Sequence, residues 1–266
     1  MKSPKELALD KKILGMLSGK ALEVAKIMIN DEEIHYLQDY ANTVSIKRLD
    51  YNDHGPVHMR TVVINALTMM DILNSTKTKF NLEKECVGTF EDSKISVMIA
   101  AFLHDTGMAV GRENHERSSA MISMPIIERI LSQIYKDNLQ KKVIVRSMVL
   151  EGILGHMGTQ KIDSLESGVI LVADGCDMKK GRARIPLLLN KEAKVGDIHK
   201  YSSSSIEDVV IEKGKKRPIK ITVKMSASVG FFQVEEVLFK KIVHSTIKPY
   251  IELYAKAEGR DMKCYL

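Results

Sequence analysis

The chain has 266 residues, 44% of them hydrophobic and 28% charged, which suits one sizeable core or a core with a small appendage and excludes a disordered chain. Its net charge of +6 is concentrated between Gly175 and Lys224, where 13 Lys/Arg stand against 6 Asp/Glu; that fits a polyanionic ligand as well as a solvated basic surface. Cys86, Cys176 and Cys264 are odd in number and far apart, which excludes a disulfide framework or a Cys-x-x-Cys zinc pattern.

The early segment with Lys2, Lys5, Asp10, Lys11 and Lys12 has no apolar stretch, so no signal peptide is expected. Apolar spacing of three and four recurs at Ala21, Val24, Ala25 and Met28, and at Val62, Ala66, Met69 and Met70, predicting helices. Fifteen methionines fit irregular helical packing better than a tight β core. Pro56 suits the first turn of a helix, where its missing N–H would be unpaired anyway. The longest apolar run, Ile95 to Leu103, is too short to cross a bilayer, so no membrane partner is expected. Asp163 with Glu166 resembles a capping box, and Gly181 can close a helix in the left-handed conformation. Together they predict a helix from Ser164 to Lys180.

After Tyr201 the period changes. Ile219, Ile221, Val223 and Met225 alternate with Lys220, Thr222 and Lys224, which predicts a strand with one face buried. Val209 and Ile211 precede it across Lys213-Gly214-Lys215-Lys216-Arg217, a β-hairpin with a basic tip. Val234, Val237, Leu238 and Lys241 resume helical spacing, and Pro249 breaks or kinks that stretch. The expected fold class is mainly α: a helical domain over 1–190, then a small α+β subdomain over 191–266 made of the hairpin and a C-terminal helix.

His104 and Asp105 end an apolar run just before Gly107. An imidazole and a carboxylate that both reach one ion suit Mn, Fe, Zn or Co, although such a pair is also an ordinary helix-end cap. His58 falls in the turn that Pro56 opens. Asp174 follows Ile170, Leu171, Val172 and Ala173 and is expected to be buried, where a carboxylate needs a partner or a metal. Asp177 is three positions on and shares its side. His115 and His156 lie between the His-Asp pair and these acids. His54 reads as a cap or support, and His35 and His244 as surface or packing residues.

The ordered set His58, His104-Asp105-x-Gly107, His115-Glu116-x-x-Ser119 and Ala173-Asp174-Gly175-Cys176-Asp177 resembles the HD phosphohydrolase superfamily, over about Asn52 to Arg184. The Gly-Tyr-Pro segment typical of its cyclic-dinucleotide hydrolases is absent. The resemblance implies an all-α bundle around a metal site. His58, His104, Asp105 and Asp174 would hold a first ion, and Asp105 would bridge to a second completed by His115 and His156. The cofactor would be one or two divalent ions of Mn, Fe, Zn, Co or Ni, or Mg. His199-Lys200-Tyr201-Ser202 resembles an extension in microbial HD proteins.

The activity so implied is hydrolysis of a phosphomonoester or phosphodiester, with a nucleotide as the expected partner, by metal-activated water in a cytoplasmic protein. Asp105, Asp174 and Asp177 are the expected catalytic acids, with Asp174 or Asp177 orienting the water or taking its proton. His115 would protonate the leaving oxygen if it is not a ligand. Lys179, Arg182 and Arg184 are candidate phosphate clamps, against a reading as a solvated helix end. Two alternatives stay open: a di-iron oxygenase on the same fold, and a non-catalytic metal-containing module that binds nucleic acid through the basic hairpin. A homo-oligomer is a further open partner.

Overall fold

The computed structural model describes residues 2–179 and 198–266. Arg182, Arg184, Gly181 and the greater part of the expected domain boundary lie outside the described residues, as does the side chain of His199.

The first part is helical: α1 (Pro4–Gly15), α2 (Gly19–Ile29), α3 (Glu32–Thr43), α4 (Pro56–Ser75), α5 (Asn81–Lys84), α6 (Phe90–Leu103), α7 (His115–Tyr135), α8 (Leu139–Gly155) and α9 (Leu165–Gly175). Pro56 opens α4 as expected. α6 is buried almost all round, which is why its sequence reads as an unbroken apolar run. It starts with a capping box between Thr89 and Asp92 and packs against α4, α8 and α9.

α9 departs from its expected ends. Its N-cap is Ser164, whose Oγ accepts from the Ser167 N–H, and Asp163 is an exposed partner of Lys161. Glu166 is fully buried and faces another element, accepting from the N–H groups of Asn81 and Leu82 and from Ser93 Oγ. It satisfies the open N-terminus of α5 rather than that of its own helix. α9 stops at Gly175, not Lys180, with the Asp177 N–H bonded to the Asp174 carbonyl.

The second part begins with α10 (Ile198–Ser204), followed by β1 (Ile206–Lys213) and β2 (Ile219–Met225). These pair antiparallel as the expected hairpin, from Lys213 opposite Ile219 to Ile206 opposite Met225. A helical run over 231–244, here α11, crosses to β3 (Ile251–Ala257), which lies parallel to β2, and β4 (Lys263–Cys264) closes the sheet in the order β1-β2-β3-β4. The expected C-terminal helix is thus corrected beyond His244. Pro249 sits in a short turn, and Ile251, Leu253, Ala255 and Ala257 alternate into the core as a strand. The hairpin tip is pinned: Arg217 donates to the carbonyls of Lys248 and Ile251, and the Lys215 N–H donates to the buried Glu252. Helical and sheet residues share one hydrophobic core. Among the described residues no helix is long and apolar enough to cross a membrane.

Candidate metal centre

Four histidines from four helices meet in the middle of the bundle. His58 stands in the first turn of α4, His104 and His156 cap the C-terminal ends of α6 and α8, and His115 opens α7. The Nδ1 of each faces a group that only accepts hydrogen bonds. For His104 it is the Ala101 carbonyl at 2.9 Å, for His115 the Arg112 carbonyl at 3.0 Å, and for His156 the Ile153 carbonyl at 2.6 Å. His58 donates to Asp177 Oδ2 at 2.7 Å. Nδ1 therefore carries the hydrogen in all four neutral rings, and Nε2 is left with a bare lone pair.

Those lone pairs point at each other. His58 and His104 bring their Nε2 atoms to 3.2 Å, and His115 and His156 bring theirs to 3.1 Å. All four side chains are essentially sealed, at 0–1% exposure. Facing nitrogens cut off from water need a proton or a metal cation between them.

Asp105 stands between the two pairs. Its Oδ2 lies 3.2 Å from His58 Nε2 and 3.3 Å from His104 Nε2, and its Oδ1 lies 3.2 Å from His115 Nε2 and 3.4 Å from His156 Nε2. Asp174 Oδ1 joins the first pair, 3.2 Å from His58 and 3.8 Å from His104. Grouped by mutual distance alone, His58, His104 and Asp174 form one set able to hold an ion, and His104, Asp105 and His156 another. The separate oxygens of Asp105 divide the donors more finely, into a four-residue and a three-residue set with Asp105 common to both. These nitrogens and oxygens fit Mn, Fe, Zn, Co or Ni; Mg, which favours oxygen and water, fits poorly.

The electrostatics agree with a cation-seeking pocket. Burial pushes the Asp105 carboxyl up, but His104, His54 and His115 hold it well below the usual range. Asp174 is likewise raised by burial and held well down by Lys241, His104 and His58. Burial opposes a charge on His104, yet Asp105 and Asp174 outweigh it and raise its pKa to about 9. At His156 burial wins, and its pKa falls to about 4.

The chain is 38% identical over 245 residues to the uncharacterized protein MJ1020 of Methanocaldococcus jannaschii, covering 92% of each chain. It belongs to the same family as that archaeal protein. No family model matches the chain, and no solved structure matches it.

The two central motifs of this family member clasp each other. The Gly107 N–H donates to Ser119 Oγ at 2.7 Å, and a Cβ at Gly107 would stand 2.1 Å from the His115 carbonyl oxygen. Only a bare backbone lets the turn after Asp105 lie this close to the start of α7.

Sequence reasoning missed Lys241. From α11 its ammonium donates to Asp174 Oδ2 and, at 2.9 Å, to the His156 carbonyl. Its helical spacing marked it only as part of an amphipathic stretch. Of the other expected residues, Asp177 holds the His58 ring, and His115 stands among the donors rather than apart as an acid. Lys179 pairs with Asp208 at 2.5 Å and lines a separate cavity with His58 and Asp177. His54 bonds the Asn52 carbonyl and Ser45 through Nδ1 and sets its ring edge-on to His58. A cleft of about 690 Å³ reaches Asp105, Asp174 and Asp177, with His54, Arg112 and Lys241 on its walls.

Proposed function

We propose that this protein is a metal-dependent phosphohydrolase of the HD type, cleaving a phosphomonoester or phosphodiester of a nucleotide. One observation carries the reading: the carboxylate of Asp105 straddles two pairs of imidazoles whose Nε2 atoms all turn inward. The order of the motifs, from His58 through His104-Asp105 to Asp174, supports it.

His58, His104, Asp105 and Asp174 would hold one divalent ion, and His115, His156 and Asp105 a second. An ion so held acidifies water and neutralises charge on a phosphoryl oxygen. The protein's own groups set the stage. Asp177 fixes the ring of His58, and the carbonyls of Ala101, Arg112 and Ile153 fix the other three, so no imidazole needs to reorient during turnover. Lys241 balances the outer oxygen of Asp174 and leaves the inner one for the donor set. The cleft over Asp105 and Asp174 gives a substrate access from one side. Three free cysteines fit a reducing, cytoplasmic setting.

The test is a screen of the Mn-, Co- and Fe-loaded protein against mononucleotides, dNTPs, cyclic nucleotides and a generic phosphodiester, each beside Asp105→Ala. Hydrolysis that the variant loses is expected, read as inorganic phosphate from a monoester and as the product monoester and alcohol from a diester. Hydrolysis of none of these substrates, or equal hydrolysis by the variant, refutes the reading.

A second reading rests on the nitrogen-rich donor set: four inward imidazoles also suit two irons in an O₂-dependent oxygenase. Oxygen consumption by the iron-loaded protein, with no phosphoester hydrolysis under any metal, would select it.

A further inference from the structure

The cations around the larger cleft differ in one respect. Lys241 is matched by Asp174, and Lys240 by Glu236. Arg112 lines the same cleft and has no carboxylate partner among the described residues. The residue is partly buried, and its guanidinium lies over the Tyr51 ring, 5.6 Å from Cζ to the ring centre. Beyond that, its side chain makes one long contact to Met108 Sδ at 4.0 Å. Arg112 also lines a smaller cavity of about 300 Å³ that reaches His115, so it stands where the approaches to the two donor sets meet. The carbonyl of the same residue fixes the His115 ring, which ties its backbone to the centre.

A guanidinium with five donors that is steadied on an aromatic face and left without a counter-charge among the described residues suits an anion with several oxygens. We propose that Arg112 is the phosphate-binding residue of this cleft, gripping the non-bridging oxygens of the phosphorylated ligand. It joins the phosphate clamps that the sequence assigns to Lys179, Arg182 and Arg184, of which Lys179 is paired with Asp208 and the two arginines lie outside the described residues. The proposal rests on the phosphohydrolase reading for the nature of its ligand.

Calorimetric titration of inorganic phosphate into the Mn-loaded full chain tests it, with metal content measured on the same samples. Arg112→Ala should weaken phosphate binding roughly tenfold to a hundredfold at unchanged metal content. Arg112→Lys should recover part of the loss, because it keeps the charge but not the fork. Arg117→Ala, which removes an exposed cation from the rim of the smaller cavity, should bind as wild type does. Undiminished binding by Arg112→Ala overturns the assignment while leaving the hydrolase reading standing. An equal loss in Arg117→Ala, or loss of metal from Arg112→Ala, overturns it too, because general charge or the His115 ring would then be responsible. A metal-loaded wild type that binds no phosphate overturns the assignment too, and the hydrolase reading then rests on the substrate screen alone.

Discussion

The ammonium of Lys241 in α11 is bonded to the carboxylate of Asp174 at the end of α9, so the sheet-bearing part of the chain supplies the counter-charge of a candidate metal ligand in the helical part. Both side chains are largely buried. Lys241→Met keeps most of the stem and removes the charge. It should destabilise the metal-free protein by about 2–3 kcal/mol, since a mostly buried carboxylate loses its partner. A bound ion would supply the missing charge, so added metal should narrow the gap in melting temperature between variant and wild type. An identical gap with and without metal would contradict this.

Asp105 is shared and His156 is not, so the two should differ in how much metal they release. After dialysis, mass-spectrometric metal analysis of Asp105→Ala should find far less than half the wild-type content. On the two-ion reading, His156→Ala should keep the ion that His58, His104, Asp105 and Asp174 would hold, at about half. Equal content in the two variants would argue against a common carboxylate.

Gly107→Ala places a methyl group against two backbone atoms, the His115 carbonyl oxygen at 2.1 Å and the Ser119 nitrogen at 2.5 Å. Neither can swing aside as a flexible side chain would, so α7 must move. A loss of about 1–3 kcal/mol in urea unfolding is expected, together with weaker metal retention on the His115 side. A variant as stable and as metal-rich as wild type would show that the clasp has slack.

Asp92 gives the fold a dependence on pH. Burial pushes its carboxyl up, but Lys141, Tyr135 and Thr89 together hold it below its ordinary value of 3.8. Because the folded value lies below the unfolded one, the stabilisation is complete above about pH 3.8 and fades as pH falls through the folded value. Asp92→Asn should therefore cost about 2 kcal/mol near neutral pH. That cost should shrink as pH falls below 3.8 and the wild type protonates. Chemical unfolding at the two pH values checks it, and a constant cost would be the contrary result.

The donors were legible in sequence because they come as an ordered set at helix ends, where an apolar run stops at a histidine or an aspartate. Pro56, the hairpin and the strand Ile219–Met225 were legible for the same local reasons. What was not legible depends on distant neighbours. Glu166 has capping spacing to Asp163 but is drawn across to α5 by bare N–H groups there. β3 was hidden because Pro249 and the helical spacing before it gave no hint that a parallel partner waits in β2. Lys241 and Arg112 are ordinary cations on paper, and only the positions of Asp174 and Tyr51 single them out.

α9 presents glycines toward α11 and the segment that follows it. A Cβ at Gly168 would stand 2.0 Å from Thr246 Oγ1, and one at Gly175 would stand 3.0 Å from Lys241 Cδ. Ser245 and Thr246 meanwhile donate to the carbonyls of Gly168 and Ser164. The two halves of the molecule are therefore laid flush along a naked seam, and neither is a cassette that evolution or an engineer can exchange by itself. A replacement sheet would have to bring its own lysine and tolerate the same absence of side chains, or the acid beneath it would be stranded.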